Sequence, residues 1–476
     1  MEINVIKKRI ARGFLSLTFR KAALLAINYI TINLVLARIL PVSIIGIFNI
    51  ANSIIAFFTF FSDIGLAAAL IQKKEITQED VRTTFTIQEI LAVIIAVSIW
   101  FLAPYFAQVY SLDNPSMWLI RALAVSFLLI SLKVIPSVLL ERELKFHPLV
   151  LVEILETIVF NGVLIWLTLL NFQIWAFSIA VLARGLVGVI SIYILAPWKA
   201  GFAFSKQSIK ELLSFGLPFQ FNSILALLKD RLVPLVIAKM VGSTGIGFIT
   251  WATSIAFLPL EIMNIMIRVT FPAFSRLQHD KEELKRTLED AIFITALLSY
   301  PLLFGIDAIA SKLIEVIVSP KWQPALPLIY LFSIGAFWAT LSSPFTNFLN
   351  ATGRINITLK LMVMWTVLEW TLSPILTIYF GYLGVGLASA IISTTAIVPI
   401  LIIKRIAKID ILPNIWQPVL ASVIMAITVF FMGNVFINST FSFFAVVIFG
   451  VFLYAILIFL LAKKRILGYI HNFRNV

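Results

Sequence analysis

The stretch LVLARILPVSIIGIFNIANSIIAF, residues 34–57, returns without a gap as LVIAKMVGSTGIGFITWATSIAFL at residues 235–258. Eight of the 24 positions are identical, among them Ala37 with Ala238, Gly46 with Gly247 and Ser53 with Ser254, while Arg38 meets Lys239. Apolar composition inflates chance matching between such segments. The paired glycine, the paired cation and the shared turn at Pro41 and Gly242 are nevertheless not filler for a lipid-facing surface. The offset of 201 residues marks an internal duplication.

Working outward from the repeat, 61% of the 476 residues are apolar and 13% are charged, about half the charged fraction of a water-soluble domain. Lipid is therefore the main solvent. A helix crosses the hydrocarbon core in roughly 20 apolar residues. Fourteen runs of that kind occur, from about 22–40 and 44–67, through about 214–238 and 245–268, to about 415–436 and 441–462. They are too long, and alternate too little, for β-barrel strands. The expected fold is an all-α polytopic membrane protein with about 14 transmembrane helices.

Six spans separate the two copies of the repeat, an even number, so both halves enter the membrane from the same side. This predicts a parallel repeat about an axis along the membrane normal. It gives two six-helix lobes, residues 1–212 and 213–406, with spans 13 and 14 and a tail at 407–476. Two such lobes suit alternating access; duplication alone also builds a large bundle.

Orientation follows the cations. With the N-terminus inside, 28 of the 37 Lys and Arg fall on the cytoplasmic side, which predicts a multi-pass protein of the cell (inner or plasma) membrane with both termini cytoplasmic. The net charge of +14 is then mostly topology, and no nucleic-acid partner is expected. Residues 273–290, AFSRLQHDKEELKRTLED, read as an amphipathic helix on the cytoplasmic leaflet. Cysteine is absent and the three histidines stand far apart, so neither a thiolate nucleophile nor a metal cluster is expected, and no cofactor.

Several stretches resemble the polysaccharide-transporter family, the O-antigen and exopolysaccharide flippases of the multidrug/oligosaccharidyl-lipid/polysaccharide superfamily. They are LARILPVSIIGIF at 36–48, SDIGLAAALIQKKEITQED at 62–80, LLERELKF at 139–146, KDRLVPLVIAKMVGSTGIGF at 229–248, FPAFSRLQHD at 271–280, LNATGRIN at 349–356 and GYLGVGLASA at 381–390. Each is weak alone, but their order spans nearly the whole chain. The resemblance implies two six-helix lobes plus two helices, and a polyprenyl-diphosphate-linked oligosaccharide as cargo. Membrane lipids and a polysaccharide polymerase or export machinery are the implied partners. One departure stands out: the lone acid of span seven, Asp230, is here flanked by Lys229 and Arg231.

Ionisable groups inside spans cost about 2.5–3.5 kcal/mol each and by default face a cavity or a partner. Arg184, near the middle of span six, can grip a diphosphate bidentately or pair with Glu156 or Glu369. Lys133, just before Pro136, can receive a head group or snorkel inward. Lys229, Asp230 and Arg231 point in different directions and cannot all face one lumen. With Arg38 these cations form the expected substrate-binding set. Asp63 and Asn264, matched by the repeat, suggest a polar inner gate or a helix-packing hydrogen bond. Glu369, between Trp365 and Trp370, is a candidate ion-coupling site or a salt-bridge partner of Arg184.

The leading expectation is a flippase carrying a lipid-linked oligosaccharide from the cytoplasmic to the outer leaflet. A drug or cation exporter of the same superfamily would want an acidic interior instead. A membrane glycosyltransferase or polymerase would need an Asp-x-Asp site or a long catalytic loop; no Asp-x-Asp and no phosphate-cradling Walker loop occurs. No catalytic residue is expected.

Overall fold

A computed structural model of the chain describes residues 27–474 apart from 64, 74, 144, 223–226 and 228–230. Every regular element among the described residues is helical, as it must be where no water can satisfy backbone N–H and C=O groups. Twelve helices among them are long and apolar enough to cross a membrane, and a shorter apolar helix, Ile27–Ile39, precedes these. The fourteen expected spans differ from this in identifiable places. Those at 22–40 and 214–238 run into residues outside the described ones.

The span expected at 245–268 is divided. Its helix ends at Ala256, and a new one begins at Leu260. Pro259 has no N–H to continue the ladder, and the chain makes a tight turn in which the Leu260 amide donates to the Phe257 carbonyl at 2.9 Å. The separate amphipathic helix expected at 273–290 is likewise the end of one helix and the start of another. Asp280 starts the second by accepting from the amides of Glu282 and Glu283 at 3.2 and 3.1 Å.

The chain divides between Gly247 and Phe248 into two compact units. The first holds α1 (Ile27–Ile39), α2 (Val42–Asp63), α3 (Leu66–Gln72), α4 (Gln78–Val109), α5 (Asn114–Leu132), α6 (Val134–Arg142), α7 (Phe146–Leu169), α8 (Ile174–Leu195), α9 (Lys206–Asn222) and the start of α10 (Val233–Ala256). The repeat turns where its sequence breaks. Leu40 before Pro41 is extended, with ψ 148°, and Gly242 interrupts α10 with φ 68° and ψ −177°, a conformation that favours glycine.

Beyond each turn stands the paired glycine, and in the first unit the two meet. A Cβ on Gly46 would lie 1.7 Å from the Ser243 carbonyl oxygen, and one on Gly247 would lie 2.4 Å from that of Val42. Backbone rests on backbone here, so any side chain must drive the helices apart.

Two stretches of the family resemblance are bound together at one end of this unit. Thr77 and Asp80 form a reciprocal capping box that opens α4. Arg142, at the end of α6, donates to the carbonyls of Leu70 and Ile71 at 2.9 and 3.2 Å and also to that of Lys73. These are carbonyls that the end of α3 leaves without helical donors. Lys73 in turn holds Asp80 at 2.8 Å and Glu211 of α9 at 2.9 Å. These partners raise the Lys73 pKa above its ordinary value, and the hydrogen bond from Lys73 holds that of Glu211 below the usual carboxylate range. Leu66, Leu70, Val81, Phe85, Ile135, Val138 and Leu212 close over one another beside the cluster.

The second unit holds the rest of α10, α11 (Leu260–Leu277), α12 (Lys281–Lys312), α13 (Leu326–Ala351), α14 (Ile355–Phe380), α15 (Leu383–Thr394), α16 (Ile397–Ala407), α17 (Leu412–Phe436) and α18 (Thr440–Arg474). The last two pack along α12, burying Phe293 with Ala421, Ile458 and Ala462. Arg465 of α18 bonds Asp290 at 3.1 Å and Asn414 at 2.7 Å, and its guanidinium lies 4.1 Å from the centre of the Phe293 ring.

The glycine contact predicts a difference between two alanine variants. Gly46→Ala should lower the melting temperature of the detergent-solubilised protein. Gly162→Ala, where an added Cβ meets nothing within 4 Å, should leave it unchanged or raise it, since alanine is the better helix former by about 1 kcal/mol. Melting followed by size-exclusion fluorescence reads both.

Candidate functional site

Pro136 lacks the N–H that would bond the Leu132 carbonyl, and α5 gives way to α6 at Lys133. The Tyr193 hydroxyl of α8 donates to that freed carbonyl at 3.2 Å, so the break is satisfied from the side. Lys133 emerges at the break and pairs with Glu156 of α7.

Glu156 lies deep, its side chain 4% exposed. It reaches this position through a gap in α8, where a Cβ on Gly188 would come within 2.0 Å of its Oε1. One turn away on α8, the Arg184 Nε stands 3.6 Å from Glu156 Oε2, and its guanidinium lies 5.8 Å from the Phe160 ring centre. The Arg184 side chain is 49% exposed. Two cations thus share one buried carboxylate, and the triad carries a surplus positive charge on its more exposed member. Stripping a buried pair of one partner costs about 3–5 kcal/mol, so the triad holds together as a unit.

Polar groups continue around it. Ser131 donates to Glu89 at 2.9 Å, and Asn161 donates to Asn28 of α1 at 2.6 Å and to the Thr157 carbonyl at 2.8 Å. Chemically the triad can present a guanidinium, oriented from behind by a carboxylate, to an anionic oxygen group.

Of the residues expected at the site, the structure brings Arg184 and Lys133 together, with Glu156 as the carboxylate partner of both. Arg38 is exposed on α1, and Arg231 is exposed just ahead of α10. Lys229 and Asp230 lie outside the described residues. Asp63 ends α2, and Asn264 is exposed on α11. Glu369 is half-buried on α14 and accepts from Ser373, one turn on, at 2.6 Å. Glu89 of α4 and Asp307 of α12, which accepts from Ser333 of α13 at 2.6 Å, are acids inside spans that the sequence reading did not single out. The available signal was the one used for Glu369, a lone acid in an apolar run.

The sequence pattern of a family described as polysaccharide biosynthesis protein matches residues 35–327, more than half of the chain. The chain is 26% identical over 342 residues to the lipopolysaccharide biosynthesis protein WzxC of Escherichia coli K12, covering 70% of this chain and 68% of that one. It is 27% identical to the teichuronic acid biosynthesis protein TuaB of Bacillus subtilis 168 over 62% of each chain, less than two thirds of TuaB's length. Among solved structures, the lipid II flippase MurJ in an inward closed conformation superposes with a TM-score of 0.76 at 14% identity, over 95% of this chain and all of that one. An inward-facing multidrug transporter of the MATE family gives 0.62 at 17% identity, over 80% and 94%. The fold is that of these multi-pass membrane proteins.

The gap at Gly188 predicts that Gly188→Ala displaces the Glu156 carboxylate. Its effect on transport and on melting temperature should match that of Glu156→Gln, and the double variant should add less than about 0.5 kcal/mol to either single change, because both act on one contact.

Proposed function

The chain belongs to the polysaccharide biosynthesis protein family, and from that premise we propose that it is a flippase and not an enzyme. Its cargo is a polyprenyl-diphosphate-linked oligosaccharide, moved from the cytoplasmic to the outer leaflet for export of an O-antigen, an exopolysaccharide or another cell-surface polysaccharide. The observation that carries this reading is the half-exposed Arg184, fixed by the buried Glu156 that it shares with Lys133. A guanidinium in that position binds a diphosphate and releases it again, because part of its charge is already balanced.

The physical need for such a site is large. Each sugar hydroxyl taken into hydrocarbon costs about 4–8 kcal/mol, so an unaided repeat unit meets a barrier of tens of kcal/mol. A polar path for the head group removes that cost while the polyprenyl tail stays in lipid. With the cytoplasm negative, two phosphate charges moving outward gain about 4.6 kcal/mol per 100 mV.

In this reading the halves 1–212 and 213–406 alternate access, with residues 407–476 attached to the second. The protein lies in the inner or plasma membrane with both termini cytoplasmic. Lys133, Arg38, Lys229 and Arg231 complete the cationic lining; Asp63, Asn264, Asp230 and Glu369 serve gating or ion coupling; a polymerase or export complex receives the product. A MATE-like exporter shares the fold, but a cationic drug is not attracted to a site of surplus positive charge.

Arg184→Ala should abolish or strongly reduce polymer export in cells that depend on this protein, with its membrane level unchanged by immunoblot. Normal export would remove Arg184 from the site. Because the chain has no cysteine, a single Arg184→Cys change also reads water access without background. Labelling by a membrane-impermeant thiol reagent in inverted vesicles is the expected result, and protection of the thiol in both vesicle orientations would count against a hydrated path.

A further inference from the structure

A second arginine of the first unit has a different setting. Arg121 of α5 has its guanidinium 4.8 Å from the centre of the Trp118 ring and 5.1 Å from that of Trp100 on α4, and its Nε donates weakly to the Trp100 carbonyl at 3.4 Å. The two indoles meet edge to face, 6.0 Å apart. Among the described residues no carboxylate pairs with Arg121, and the nearest N-capping acid, Asp113, is engaged by Ser116. Two aromatic faces hold the cation in place without neutralising it.

Arg121 stands at the head of an apolar groove. Ala96, Val97, Trp100 and Phe101 of α4 form one wall, and Ala124, Val125 and Leu128 of α5 form the other, around a cavity of about 120 Å³. Arg121, Ala124, Val125 and Leu128 repeat at i, i+3, i+4 and i+7, one stripe of a helix. The buried alanines Ala96 and Ala124 make the floor, and the exposed side chains of Val97, Phe101 and Val125 make the rim. The groove runs about 10 Å from the cation toward the middle of the span Asn114–Arg142.

Its polarity is that of a lipid, with charge toward the helix end and hydrocarbon toward the centre. The geometry points to a binding site for an anionic glycerophospholipid, its phosphate on Arg121 and one acyl chain in the groove between α4 and α5. A single guanidinium, with the two indole faces beside it occupied by the cation and by each other, matches a single phosphate. It does not match a glycosylated diphosphate, so this site is separate from the cargo path and does not depend on the flippase reading.

Native mass spectrometry of the full chain, titrated with phosphatidylglycerol, phosphatidylethanolamine or phosphatidylcholine, tests this. Wild type should hold one phosphatidylglycerol at least about tenfold more tightly than Arg121→Gln, the loss expected for a hydrogen bond to a charged group. Arg121→Lys should fall between them. Val125→Trp, which fills the groove and leaves the cation, should also lose the lipid, and each variant is to elute as a monodisperse peak. Lys145→Gln, an exposed cation elsewhere, should bind as wild type does. Wild-type affinity in both Arg121→Gln and Val125→Trp would overturn the site. Equal binding of all three lipids, or displacement of phosphatidylglycerol by equimolar undecaprenyl phosphate, would overturn the assignment of its occupant.

Discussion

A carboxylate surrounded by apolar helices must meet a cation or give up its charge, and Glu156 meets two. Much of the first unit's interior is arranged around that pairing. The break between α5 and α6 turns Lys133 toward Glu156, Gly188 leaves the space that the carboxylate fills, and Arg184 is drawn to the same group from one turn away on α8. Its unequal burial matters most. Lys133 lies largely inside while Arg184 remains half-open, so the surplus charge sits where an anion can reach it.

Around this pairing the backbone accounts are closed by side chains. Tyr193 takes the carbonyl that Pro136 cannot, Arg142 takes those at the end of α3, and Thr77 and Asp80 answer the first amides of α4. At the Pro136 break, inside a span, no water is at hand to do this work. The same economy explains the contact between Gly46 and Gly247. Close approach of helices in hydrocarbon is driven by packing, and the two copies of the duplicated stretch supply the one residue type that lets backbone touch backbone.

Arg184 and Arg121 show how one residue type takes two roles in a membrane. The first is balanced by a carboxylate and made ready to exchange an anionic ligand. The second is held by indole faces that leave its charge whole, at the head of a hydrocarbon groove, where a lipid phosphate completes it. The difference lies in the neighbours each helix brings.

The all-helical membrane fold, and Arg184, Lys133 and Glu369 as charges inside spans, were legible in the sequence, because apolar run length and isolated charge are properties of consecutive residues. The number of spans was less so. Pro259 divides a run that composition makes continuous, and Asp280 starts a long helix where a separate surface helix was expected. The carboxylate that Arg184 would find stayed open between Glu156 and Glu369, and only tertiary structure decided it. So too with the meeting of Gly46 and Gly247 and the bracing of Arg121 by Trp100. Each joins residues on different helices, and which helices become neighbours depends on packing over the whole unit, which no local pattern encodes.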